Sequence, residues 1–146
     1  MKTRILVVDD EQDFAEALSE RLTIRDYDVT TAFTGQDAIA EITQFNFDIV
    51  VLDVKMPGTS GIDVLKEIKN RKPLTEVIML TGNATVETAI EGMRLGAFDY
   101  LMKPCETDEL MNKINRAYEK KAEHEEKIRE ARVKEIVSSP RSALHE

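Results

Sequence analysis

Residues 49–58 read Ile-Val-Val-Leu-Asp-Val-Lys-Met-Pro-Gly: four apolar residues in a row, then a carboxylate, then a Pro-Gly turn signal. A run that is apolar at every position, rather than at alternate ones, predicts a strand covered on both faces, as in a parallel sheet. Pro57-Gly58 marks the turn after it, so Asp53 falls at the strand's carboxyl end. The same pattern recurs along the chain. Ile5-Leu6-Val7-Val8 stops at Asp9-Asp10, Val77-Ile78-Met79-Leu80 at Thr81 and Tyr100-Leu101-Met102 at Lys103, with Val29 to Ala32 a weaker fifth run.

Helical spacing fills the intervals. Phe14, Ala17, Leu18 and Leu22 mark one helix and Ala38, Ile39 and Ile42 a second, with Thr34 and Asp37 spaced as a capping box. Ile62, Leu65 and Ile68 mark a third, stopped before Pro73, and Val86, Ile90 and Met93 a fourth, ended at Gly96. Thr107 is placed to cap a fifth, with Asp108 and Glu109 in the first turn, where the helix dipole favours acid. No Gly or Pro interrupts residues 107–139, so this helix extends well past one domain face. Five strand–helix units predict an α/β fold: a doubly wound (βα)5 parallel five-stranded sheet with right-handed crossovers and an extended C-terminal helix.

The chain has 146 residues, 42% of them hydrophobic and 33% charged, the balance of one globular domain. No apolar stretch approaches the roughly 20 residues that span a bilayer, and residues 1–4 run straight into a strand with no signal-peptide core. A single cysteine, Cys105, excludes a disulfide framework and a Cys-based zinc site. The expected setting is cytoplasmic, with no membrane partner. Of the net charge of −8, the last 28 residues carry none, because seven acids there balance seven bases. Residues 1–118 are therefore strongly acidic, which argues against direct nucleic-acid binding.

In a doubly wound sheet, ligands bind at the carboxyl ends of the strands. Asp9, Asp10, Asp53, Thr81 and Lys103 converge on that edge. Two carboxylates about 4 Å apart repel by about 4 kcal/mol at an effective dielectric near 20, and a divalent cation removes the conflict. Oxygen ligands without His or Cys select a hard ion such as Mg2+, which ordinarily shares its shell with phosphate. A carboxylate there can act as nucleophile toward phosphorus, while the Thr81 hydroxyl and Lys103 ammonium address charge on the transferring group.

These residues, Asp9-Asp10, Asp53-Val-Lys-Met-Pro-Gly, Thr81-Gly82 and Lys103-Pro104, closely resemble the receiver domain of two-component response regulators, over roughly residues 4–120. The resemblance implies a flavodoxin-like fold with Asp53 accepting phosphate from a histidine kinase or phosphotransfer protein. It further implies Mg2+ held by Asp10 directly, by Asp9 largely through water, by Asp53 and by the backbone carbonyl of Lys55, and a cis Lys103–Pro104 bond. It supplies a switch as well: Thr81 moves toward the phosphoryl group, Tyr100 turns inward, and the surface of the fourth helix, fifth strand and fifth helix is remodelled. The wording from Val77 to Glu109 is most similar to receivers of sigma-54-dependent activators. Lys55 and Asn83 stand where receivers tune phosphate loss, and a slow loss, over minutes or more, is expected.

The domain division that follows is a receiver at 1–120 and a helical extension or linker at 121–146. Leu110, Ile114, Ala117, Lys121, His124, Ile128 and Ala131 follow a 4-3-4-3 spacing compatible with a coiled-coil seam in a homodimer, against a solvated linker with pairs such as Glu123 and Lys127. Ser138-Ser139-Pro140 and the residues beyond read as a frayed end or a linker stub. Cys105 is expected to be inert, and His124 and His145 lie apart from the acids. The chain is expected to be a phosphoacceptor switch rather than an ordinary enzyme, acting on an output partner or effector domain that its own sequence does not identify. The alternatives are a Mg2+-dependent aspartyl-nucleophile phosphohydrolase, which would have a second Asp where Lys55 stands, a flavin module, and an adaptor with a vestigial site.

Overall fold

The computed structural model describes residues 2–82 and 85–138. Asn83, His145 and the expected frayed end from Ser139 onward lie outside the described residues. Five strands, β1 (Arg4–Val8), β2 (Asp28–Ala32), β3 (Ile49–Leu52), β4 (Glu76–Thr81) and β5 (Asp99–Met102), alternate with five helices. These are α1 (Gln12–Ile24), α2 (Gly35–Gln44), α3 (Gly61–Arg71), α4 (Val86–Arg94) and α5 (Thr107–Ser138). The strands form one sheet in the order β2-β1-β3-β4-β5, parallel throughout, the flavodoxin-like arrangement. Val8 stands opposite both Ala32 and Leu52, and Thr81 opposite Met102. That register brings the residues after β1 and β3 and the ends of β4 and β5 to one edge.

The continuous apolar runs are explained by cover on both faces. Leu6, Val8, Val50, Leu52, Val77 and Met79 pack with Ala38 and Ile42 of α2 and Leu65 and Ile68 of α3. Their neighbours Ile5, Val7, Ile49, Val51, Ile78 and Leu80 turn the other way, onto Ala15, Leu18 and Leu22 of α1 and Leu110, Ile114 and Ala117 of α5. Removing one such side chain to Ala typically costs about 2–5 kcal/mol.

Local signals differ from expectation at three helices. Thr34 accepts the Asp37 N–H at 3.0 Å, but only this half of the expected capping box forms. The reciprocal box is at α4, where Thr85 and Thr88 each bond the other's backbone N–H. Thr107, the expected cap of α5, is its first helical residue. The stripe that marks α4 does not face the core: Val86, Ile90 and Met93 are exposed and Gly92 is buried. A Cβ on Gly92 would collide with the Met79 sulfur, so the glycine lets α4 lie close on the sheet.

The seam expected along α5 divides in two. Leu110, Ile114 and Ala117 belong to the domain's own core, and Lys121 pairs with Asp48 at 3.1 Å and Glu125 at 3.1 Å. From Ala122 on the helix is largely solvent-facing, with Ile128, Val133, Ile136 and Val137 exposed. The expected Glu123–Lys127 pair forms at 3.3 Å. No helix among the described residues is long and apolar enough to cross a membrane.

Candidate functional site: an acidic cluster at the strand ends

Asp9 and Asp53 follow β1 and β3, neighbours at the centre of the sheet, where the strand order reverses. The chain is fixed on leaving each strand: Asp9 N–H donates to the Ala32 carbonyl at 3.1 Å and Asp53 N–H to the Val8 carbonyl at 2.9 Å. Both side chains are held under the surface, Asp9 at 2% exposure and Asp53 at 5%, while Asp10 is exposed. Carboxylate oxygens of Asp9, Asp10 and Asp53 lie within 4.8 Å of one another. Such a set of hard oxygen donors suits Mg2+.

Lys103, at the end of β5, is the cation of the cluster. Its Nζ is 2.6 Å from Asp9 Oδ2, 3.2 Å from Glu11 Oε1 and 3.6 Å from Asp53 Oδ2. The ring of Phe14 lies beneath it, 4.2 Å from Nζ to centroid, a cation–π contact. Lys103 N–H donates to the Thr81 carbonyl at 3.0 Å, and the Lys103–Pro104 bond is cis. Burial works against the ammonium, yet Asp9, Asp53 and Glu11 together hold its pKa above the usual lysine value. The Asp9 carboxyl is shifted upward as well: burial, reinforced by the Asp53 charge, raises it above the ordinary value despite Lys103 and the Glu11 N–H.

The strand ends thus bring Asp9, Asp10, Asp53 and Lys103 together, with Thr81 fully buried at the same edge. The Lys55 side chain is exposed, while its N–H donates to Asp53 Oδ1 at 3.2 Å. Tyr100 is half-buried against the α2–α3 side of the core, and its hydroxyl is buried with no hydrogen-bond partner among the described residues. Cys105 sits in a groove of about 260 Å3 with Phe14, Leu18, Leu80 and Leu110, and burial together with Glu109 pushes its thiol up, away from the reactive thiolate.

Three contributors were missed by sequence reasoning. Glu11 donates its N–H to Asp9 Oδ1 at 3.0 Å and lends a carboxylate to Lys103; its place directly after Asp9-Asp10 was the available signal. Phe14 beneath Lys103 reads in sequence only as helix core. Gly61 opens α3 against the loop after β3, donating its N–H to the Val54 carbonyl at 2.8 Å. A Cβ there would meet the Asp53 carbonyl.

The fold and this edge define a doubly wound α/β protein with a cation-suited carboxylate cluster bridged by one lysine. Residues 5–115 match the family model described as the response regulator receiver domain, and the chain belongs to that family. It is similar to the regulatory protein AtoC of Escherichia coli (strain K12), 40% identical over 114 residues, or 78% of this chain and 25% of that protein. It is similar as well to the transcriptional regulatory protein ZraR of Salmonella typhimurium, 40% identical over 116 residues, 80% of this chain and 26% of that one. The chain therefore spans about a quarter of the length of these relatives. Among solved structures, a CheY-like receiver domain from Methanospirillum hungatei JF-1 matches with a TM-score of 0.83 at 28% identity, over 85% of this chain and 99% of that one.

Proposed function

We propose that Asp53 is the phosphoacceptor of this receiver domain, taking a phosphoryl group from a histidine kinase or phosphotransfer protein. The observation that carries the reading is Lys103 Nζ placed between Asp9 and Asp53 at 2.6 and 3.6 Å, beside three carboxylates close enough to share one cation. Asp9, Asp10, Asp53 and the Lys55 backbone carbonyl would hold Mg2+. Bound there, the ion would offset charge on the transferring phosphoryl oxygens.

The chain's own groups account for the remainder of the chemistry. The Lys55 N–H on Asp53 Oδ1 orients the carboxylate, leaving Oδ2 on the Lys103 side. That oxygen forms the new P–O bond as the donor's P–N bond breaks. Lys103 exchanges part of its carboxylate pairing for a phosphoryl oxygen, and Thr81 hydrogen-bonds another. The transfer modifies only the chain itself, a signalling event rather than turnover of an external substrate.

Tyr100 and Thr81 report the modification to the α4-β5-α5 surface, which is suited to a partner: Ile90, Met93 and Met102 are 53%, 47% and 51% exposed. Residues 1–120 form the receiver unit and 121–146 an extension toward an output partner or domain, in a cytoplasmic regulator of the sigma-54-dependent activator type. The exposed stretch of α5 is read as a homodimer contact. Incubation with acetyl phosphate and Mg2+, followed by mass analysis of the peptides, tests the central claim. One phosphoryl group on Asp53, lost in Asp53→Asn, is expected; an unmodified protein, or a group on another residue, overturns it.

A further inference from the structure

The amino ends of three neighbouring strands each carry an acid: Asp48 just before β3, Glu76 opening β4 and Asp99 opening β5. One helix answers all three. On α5, Lys121 Nζ lies 3.1 Å from Asp48, Lys120 Nζ 3.3 Å from Glu76 and Lys113 Nζ 2.6 Å from Asp99. Residues seven and eight apart return to the same helix face after two turns, so a single face of α5 is tied across three strand ends. The Glu76 side chain is 3% exposed, and a buried charge is costly unless paired; Lys69 of α3 supplies its second partner at 3.1 Å.

Asp99 differs from the other two acids in what its second oxygen does. Oδ2 faces Lys113, while Oδ1 accepts the N–H of Tyr100 at 2.7 Å. β5 is the sheet's edge strand, so one carboxylate joins the backbone of Tyr100 to α5 by two short charge-assisted contacts. Tyr100 is suited to two arrangements. Its ring packs on the core while its hydroxyl is buried without a hydrogen bond among the described residues. An unsatisfied buried hydroxyl offsets part of what the ring's burial gains, and this narrows the gap to an arrangement that releases it.

We infer that Asp99 is a positioning residue of the switch, carrying the state of Tyr100 to α5 through Lys113, with the Lys120 and Lys121 pairs making the helix respond as one piece. The inference rests on the reading of Tyr100 and Asp53 given above. A change at the phosphorylation site would therefore be felt beyond Lys121, where α5 leaves the body of the domain.

Amide hydrogen exchange of the full chain, with Mg2+ and with or without acetyl phosphate, tests the relay. Phosphorylation is followed by mass in the same samples, and thermal unfolding of each variant is recorded first. In the parent, exchange in residues 122–138 is expected to change by about fivefold, the lower end of ordinary coupling between sites. Asp99→Asn and Lys113→Met should still be phosphorylated but lose that change, and Lys113→Arg should restore it. Lys113→Met keeps most of the aliphatic stem and carries the test by itself if Asp99→Asn fails to fold. A phosphorylated parent whose α5 does not respond, or variants that respond as the parent does, overturn the relay alone. A parent that takes no phosphoryl group overturns the functional reading and the relay with it.

Discussion

Lys103 has three carboxylates within reach, and the balance among them sets the chemistry of the site. Replacing it with Met leaves Asp9 buried with the Asp53 charge beside it and no ammonium to offset that charge. Lys103→Met is accordingly expected to push the Asp9 carboxyl further up and to slow phosphorylation of Asp53 by acetyl phosphate by at least tenfold, about 1.4 kcal/mol of lost stabilisation; timed mass spectra would show it. Gly61→Ala tests the loop after β3. Its methyl would meet the Asp53 carbonyl, so a loss of about 1–3 kcal/mol in urea unfolding is expected. Asp9, Asp10, Asp53, Thr81 and Lys103 were legible because each closes an apolar run, a signal contained in a few adjacent residues. Phe14 and Gly61 were not, since their roles depend on what another element places against them.

At the scale of elements, the five strands and the helices alternating with them were readable from period and punctuation, whereas the facing of α4 and α5 was not. Val86, Ile90 and Met93 form a proper helical stripe, and nothing in their spacing tells that Gly92 would take the sheet side. Leu110, Ile114 and Ala117 likewise fit a seam or a core equally well. The Asp99–Lys113 tie has a pH signature. Burial raises the Asp99 carboxyl, but Lys113, the Tyr100 N–H and Arg116 outweigh it, and its folded pKa lies below the ordinary 3.8. The ionised form is favoured by folding, so this stability is complete above the unfolded value and fades as pH falls through the folded one. Asp99→Asn should lower the urea midpoint at pH 7, with the gap to the parent closing below about pH 4. A gap that persists unchanged in acid would show that the charge is not its source.

For the whole molecule, the ion pairs of α5 decide where the chain can be cut. Ending it after Tyr118 removes Lys120 and Lys121 and strips Glu76 and Asp48 of one partner each. That chain should be less stable than one ending after Ala122 by about 1–3 kcal/mol, the usual cost of leaving a buried polar group short of a partner; denaturant unfolding of the two compares them directly. Sedimentation of the full chain against the one ending after Ala122 measures what the exposed part of α5 contributes to self-association. Equal masses per particle would remove α5 from the dimer contact.

α5 runs from Thr107 to Ser138 as one helix, and a helix has a phase as well as a length. Each residue advances about 1.5 Å and turns about 100°. Inserting a single residue after Ala122 would therefore turn the helix end at Val137 a quarter of the way round the axis while hardly lengthening the reach, and four residues would bring it nearly back into line. A shaft of this kind transmits orientation, so the response of the output partner proposed above should rise and fall with the count of inserted residues rather than decline steadily.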